Sequence, residues 1–123
     1  LSLDIGKRHT GLAVYDSATE IVLPLDTVAH ASISELVSHV ASLVSRRGID
    51  RMIIGQPLLL GGEEGAQTAF VAEVCRDLVS MLPHIPMTLL DERFTSPRRS
   101  LSDPHAEAAC EILRRYVKRA IDV

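Results

Sequence analysis

From residue 32 onward, helical apolar spacing alternates with short apolar runs. Ile33, Leu36, Val37, Val40, Leu43 and Val44 recur at i, i+3, i+4 and i+7, the period of an amphipathic helix. That helix spans Ser32 to Arg47 and is closed by Gly48, the residue type that ends helices in the left-handed region. Phe70, Val71, Val74, Leu78 and Val79 mark a second helix over Gln67 to Leu82, stopped by Pro83. Asp103-Pro104 opens a third, running to about Ala120: a capping residue followed by proline at the first helical position. Between the helices lie two short apolar runs, Arg51 to Ile54 and Met87 to Leu90. Strands separated by single helices return parallel to one another through right-handed crossovers.

The N-terminal third reads differently. Leu1 to Ile5 is a strand, Gly6 to Thr10 a tight turn, and Gly11 to Tyr15 its hairpin partner. Glu20 to Val28 is a third strand, with Pro24 placing it at an edge, because proline cannot donate to a ladder. The order βββαβαβα gives a mixed five-stranded α/β sheet with helices on both faces. The first strand pairs with the second on one side and the fourth on the other, and the fifth lies beyond the fourth. The core is aliphatic, since 46% of residues are apolar but only 3% aromatic, with no Trp. The 123 residues fit one domain, 1–123.

In this arrangement the C-terminal ends of strands one, four and five share one edge, where α/β folds build sites. Asp4 ends strand one, and Asp91 and Glu92 end strand five. Adjacent strands are about 4.8 Å apart, so side chains reaching across Gly55 can approach one ion. Asp103, His105 and Glu107, at the start of the last helix, can close the same site. Clustered carboxylates repel unless a cation lies between them, and Mg²⁺ or Mn²⁺ prefers such oxygen donors. Two such ions suit in-line displacement at a phosphodiester. The alternative is local: Asp4 caps the Gly6 turn, and Asp91-Glu92-Arg93 is an ion-paired turn. Lys7 and Arg8 are either phosphate contacts or a solvated hairpin tip. Arg93 either orients Glu92 or binds phosphate.

Net charge is −3, which excludes a generally basic nucleic-acid binder. Arg98 and Arg99 are adjacent, and Arg114, Arg115, Lys118 and Arg119 cluster. They form either a basic patch or a solvated helix face. His9, His30, His39 and His84 lack metal-ligand spacing and read as surface. Glu63 and Glu64 read as loop charges, Thr95 and Ser96 as a helix cap. Cys75 and Cys110 read as reduced thiols of a cytoplasmic protein. There is no signal-peptide pattern and no run of about 18 apolar residues, so no membrane span is expected. The first residue is Leu, so a few residues are expected before it.

"LDIGKRHTGLAV", "IIGQPLLLGGEEGAQT", "LLDERFTS" and "EILRRY" together resemble the YqgF family, also called RuvX. Its members are Holliday-junction-resolvase-like nucleases with the ribonuclease H fold. The resemblance implies a divalent-metal nuclease acting on structured nucleic acid. Precursor 16S ribosomal RNA is the first substrate and branched DNA the second. Asp4 matches the family's first acid and Glu92 its second. The third normally opens the last helix; counting back eight from Leu113 gives His105 in its place, with Asp103 two residues away. Imidazole at that position favours Mn²⁺ over Mg²⁺. The implied catalytic set is Asp4, Glu92 and His105 or Asp103, with metal at Asp4, Glu92 and His105. Lys7, Arg8, Arg93, Arg98 and Arg99 are the expected substrate contacts of a monomer or homodimer. The segment before the last helix, "RRSLSDPH", is shorter than in relatives. A catalytically inactive nucleic-acid-binding module is the alternative, since His105 departs from the acid. Actin-like and sugar-kinase domains share the D-x-G turn, but need a second domain that 123 residues cannot supply.

Overall fold

A computed structural model describes residues 1–56, 66–91 and 103–121. In chain order the elements are β1 (Ser2–Ile5), β2 (His9–Asp16), β3 (Ile21–Pro24), β4 (Val28–Ala29), α1 (Ile33–Arg47), β5 (Met52–Gln56), α2 (Ala66–Met81), β6 (Met87–Asp91) and α3 (Pro104–Ile121). The sheet runs β3-β2-β1-β5-β6, with β4 also on β2. β1 is antiparallel to β2 and parallel to β5, and β5 is parallel to β6. The expected mixed sheet and strand order are therefore present, with Pro24 on an edge strand.

The expected third strand is in fact two. Ala13 pairs with Pro24 and Thr10 with Val28. Gly11 and Leu12 on β2 thus face three residues, Leu25, Asp26 and Thr27, with the Leu25 N–H donating to the Leu12 carbonyl at 2.9 Å. One extra residue on one side is a β-bulge. It divides the ribbon into β3 and β4, which raises the strand count to six. The β1–β2 turn is also tighter than expected, since β2 begins at His9.

Strand alternation sorts the two faces. Leu1, Leu3, Ile5, Met52 and Ile54 pack with α1 and α2. Ala13, Ile53 and Leu90 pack with Ala109, Cys110, Ile112 and Leu113 of α3. Helices therefore cover both faces. Cys75, half-buried on the α2 side, and Cys110, buried on the α3 side, are both free thiols. No helix among the described residues is long and apolar enough to cross a membrane.

α1 owes its ends to local chemistry. Ser32 is the N-cap, and its hydroxyl accepts from the Glu35 N–H at 3.2 Å. Glu35 returns a carboxylate to the Ala31 N–H at 2.6 Å, a capping box displaced by one residue. Gly48, at φ 63°, closes the helix in the left-handed region and donates to the Val44 carbonyl.

Candidate active site

Ser2 fixes which way Asp4 faces. The buried Ser2 hydroxyl donates to the Ala109 carbonyl of α3 at 2.6 Å. Asp4, two residues on, shares that face. Its cross-strand partner is Gly11. A Cβ on Gly11 would collide with the His105 carbonyl oxygen and reach the Ala106 nitrogen. The backbone of α3's first turn therefore lies directly on β2 beside Asp4. The spacings agree. Ser2 to Asp4 is about 6.8 Å of strand, and Ala109 back to His105 about 6 Å of helix. Asp4 is half-buried, level with the turn that carries His105.

His105 is exposed, and its ring stacks on that of His9, centroids 5.5 Å apart and 14° from parallel. Among the expected site residues, then, Asp4 lies level with the backbone turn that carries His105, and the His105 ring itself packs on His9. His9 had no signal as a site residue, because only the fold places it against α3. Asp103 has another task. One carboxylate oxygen accepts from the His105 and Ala106 N–H groups at 3.0 and 3.2 Å. The other accepts from the Thr27 hydroxyl at 2.5 Å. Chiefly the Thr27 bond, with the two backbone donors, holds the Asp103 carboxyl below the usual range. Thr27 reaches it from the bulge between β3 and β4.

Glu92, Arg93, Arg98 and Arg99 lie outside the described residues, as do Glu63, Glu64, Thr95 and Ser96. Glu92 directly follows β6, whose Leu90 pairs with Gly55 of β5. One step along the register that joins Leu3 to Ile54, Gly55 is level with Asp4. Among the described residues no three His, Cys, Asp or Glu side chains are grouped to hold a metal. A carboxylate, as at Asp4, and an imidazole, as at His105, are donor types that suit a divalent ion.

Lys7 and Arg8 are exposed on the β1–β2 turn. The basic residues of α3 are placed elsewhere. Arg114 pairs with Glu107 and Glu111 at 3.3 and 3.5 Å, and Arg115 with Glu111 at 3.9 Å. Lys118 lies 13 residues beyond His105, about 20 Å along the helix. The solvated-face reading fits α3. His30 corrects a surface reading: it is 5% exposed, and its Nε2 meets the Thr10 hydroxyl at 2.9 Å.

Residues 1–119 match the family RuvX, described as Holliday junction resolvase. The chain belongs to the RuvX family. It is 35% identical over 96 residues to the "Putative pre-16S rRNA nuclease" of Chloroflexus aggregans, covering 78% of this chain and 67% of that protein. A protein of the same name from Porphyromonas gingivalis is 32% identical over 99% of this chain and 85% of its own length. Against the Chloroflexus aurantiacus relatives the match spans 62% of their length. Among solved structures, Thermus thermophilus RuvC bound to a Holliday junction substrate superposes with a TM-score of 0.66 at 12% identity, over 96% of this chain and 92% of that one. A second Thermus thermophilus RuvC structure gives 0.61 over 96% and 94%. That likeness establishes the ribonuclease H-like fold of this RuvX chain.

Proposed function

We propose that this chain is a divalent-metal-dependent nuclease that hydrolyses phosphodiester bonds in structured nucleic acid. Its first substrate is precursor 16S ribosomal RNA. The observation that carries the reading is Asp4. It stands at the C-terminal edge of a RuvX sheet, opposite a bare Gly11 and level with the first turn of α3. The name the relatives carry, pre-16S rRNA nuclease, supports the substrate. Branched DNA is the second reading, favoured by the family's description.

Asp4, Glu92 and His105 would hold Mg²⁺ or Mn²⁺. When bound, the divalent cation supplies charge to the attacking and leaving oxygens of an in-line displacement. Asp103 caps α3 and keeps the turn bearing His105 against Gly11. His9 stacks on the His105 ring and restricts its orientation. Lys7 and Arg8 contact backbone phosphates, as do Arg93, Arg98 and Arg99. A cytoplasmic setting suits the two free cysteines.

The test is cleavage of labelled precursor RNA and of a four-way DNA junction with Mn²⁺, Mg²⁺ or chelator. Loss of an outer partner of a metal site costs about 10–100-fold, so Asp4→Asn should cost at least about a hundredfold. The preferred substrate decides RNA against DNA. Full activity in Asp4→Asn sinks the site, and a wild type that binds metal and nucleic acid but cuts neither is an inactive binding module.

A further inference from the structure

The seat that Gly11 gives the first turn of α3 admits the helix without fixing it. A bare glycine leaves room for the helix backbone but offers no side chain to hold what it admits. The cap does not fix it to the sheet either. Asp103 Oδ1 accepts from the His105 and Ala106 N–H groups at 3.0 and 3.2 Å, which ties Asp103 to its own helix. The tie to the sheet comes from Oδ2, which accepts from the Thr27 hydroxyl at 2.5 Å across 76 residues of chain. A short hydrogen bond to a carboxylate is roughly twice as strong as a neutral one. Both residues are half-buried.

Thr27 is itself held in place. It closes the bulge, between the Leu25 N–H bonded to the Leu12 carbonyl at 2.9 Å and Val28 opposite Thr10. The next pair along is Ala29 with His9. The short strand β4 therefore backs the residue whose ring meets His105. The contacts close into a loop. His105 stacks on His9, His9 pairs with Ala29 of β4, and Thr27, which leads into β4, bonds the cap of the turn that carries His105. Without the Thr27 hydroxyl that loop is open, and the turn loses its hydrogen bond to the edge ribbon.

We propose that Thr27 is a positioning residue of the candidate active site. Its hydroxyl, acting through Asp103, sets where the turn that carries His105 stands relative to His9 and to Asp4, which lies level with that turn. Thr27 touches neither substrate nor ion in this role. Its effect on cleavage rests on the nuclease reading above; its effect on the His9–His105 contact does not.

Thr27→Val keeps the shape of the side chain and removes the hydroxyl, whereas Thr27→Ser keeps the hydroxyl. Gly48→Ala, at the far end of α1, stands for a loss of stability away from the site. Each is compared with the wild-type chain in two ways: steady-state cleavage of labelled precursor RNA with Mn²⁺, and nuclear Overhauser contacts between the His9 and His105 rings in chelator. In Thr27→Val kcat should fall about tenfold, the size of a lost outer partner at a metal site, with KM changed less than about twofold because the missing group binds no substrate. The ring contact should weaken in the same variant. Thr27→Ser should recover most of both, and Gly48→Ala should change neither. A wild-type kcat or an unchanged ring contact in Thr27→Val overturns the assignment, as does an equal loss in Thr27→Ser or Gly48→Ala. If the wild type cuts neither RNA nor branched DNA, the nuclease reading fails, and the ring contact alone decides the role of Thr27.

Discussion

Gly11 shows how one missing methyl group can build a site. The first turn of α3 rests on its bare backbone, with the His105 carbonyl where a Cβ would sit. Overpacking a tight contact costs about 1–3 kcal/mol. Gly11→Ala should fall at the upper end, because the obstacle is helix backbone and cannot rotate away. Urea denaturation checks the cost, and cleavage should fall with it as α3 shifts from Asp4. Asp103 provides a pH signature. Its folded-state carboxyl lies below the ordinary value of about 3.9, so the unfolded chain binds its proton first. The stabilisation is complete above that value and is lost as pH falls through the folded-state pKa. Asp103→Ala should cost about 1 kcal/mol at pH 7, as for a lost cap. The gap between wild type and variant should close in acid; one that stays constant down to about pH 2 would contradict this origin.

The bulge between β3 and β4 is the element that ties the edge ribbon to α3. Its extra residue lets Thr27 reach Asp103 while β3 and β4 both stay paired to β2. Bulges re-aim side chains in this way. α1 is closed by a different device. Gly48 holds φ 63°, and a Cβ added there would have nothing within 4 Å, so Gly48→Ala meets backbone strain without a clash. The expected loss is about 1 kcal/mol, read by thermal or urea unfolding, with cleavage unchanged because Gly48 lies at the end of α1 away from Asp4. The cost at Gly11 is steric and the cost at Gly48 conformational.

Among the described residues, the basic groups near Asp4 are separate from those at the end of α3. Lys7 and Arg8 project at the edge that carries Asp4, whereas Lys118 and Arg119 sit in the last turn of α3. A net charge of −3 makes association depend on the local patch, and phosphate contacts make it salt-dependent. Lys7→Ala should weaken binding of all sequences alike and reduce the log–log salt slope by about 1. Lys118→Ala should leave the slope unchanged. Fluorescence anisotropy from low to moderate salt measures both, and equal slopes for the two variants would remove Lys7 from the interface.

Much of this was legible in the residues themselves. Helical spacing in α1 and α2, the Asp103-Pro104 start of α3 and the acid at the end of β1 are written in local order. Local sterics and apolar periodicity act over a few residues, so they survive without a fold. The implied strand order followed from the alternation of strands and helices. Tertiary structure decided the rest, because it depends on contacts between residues distant in the chain. Asp103 serves as a cap latched by Thr27 only because a bulge 76 residues away in sequence reaches it. His30, a polar residue with no local signal, is buried because β4 lays it between Thr10 and Phe70. His9 meets His105 because Gly11 lets a helix approach the sheet. Burial and long-range pairing are properties of the packed chain, and no spacing rule along the sequence encodes them.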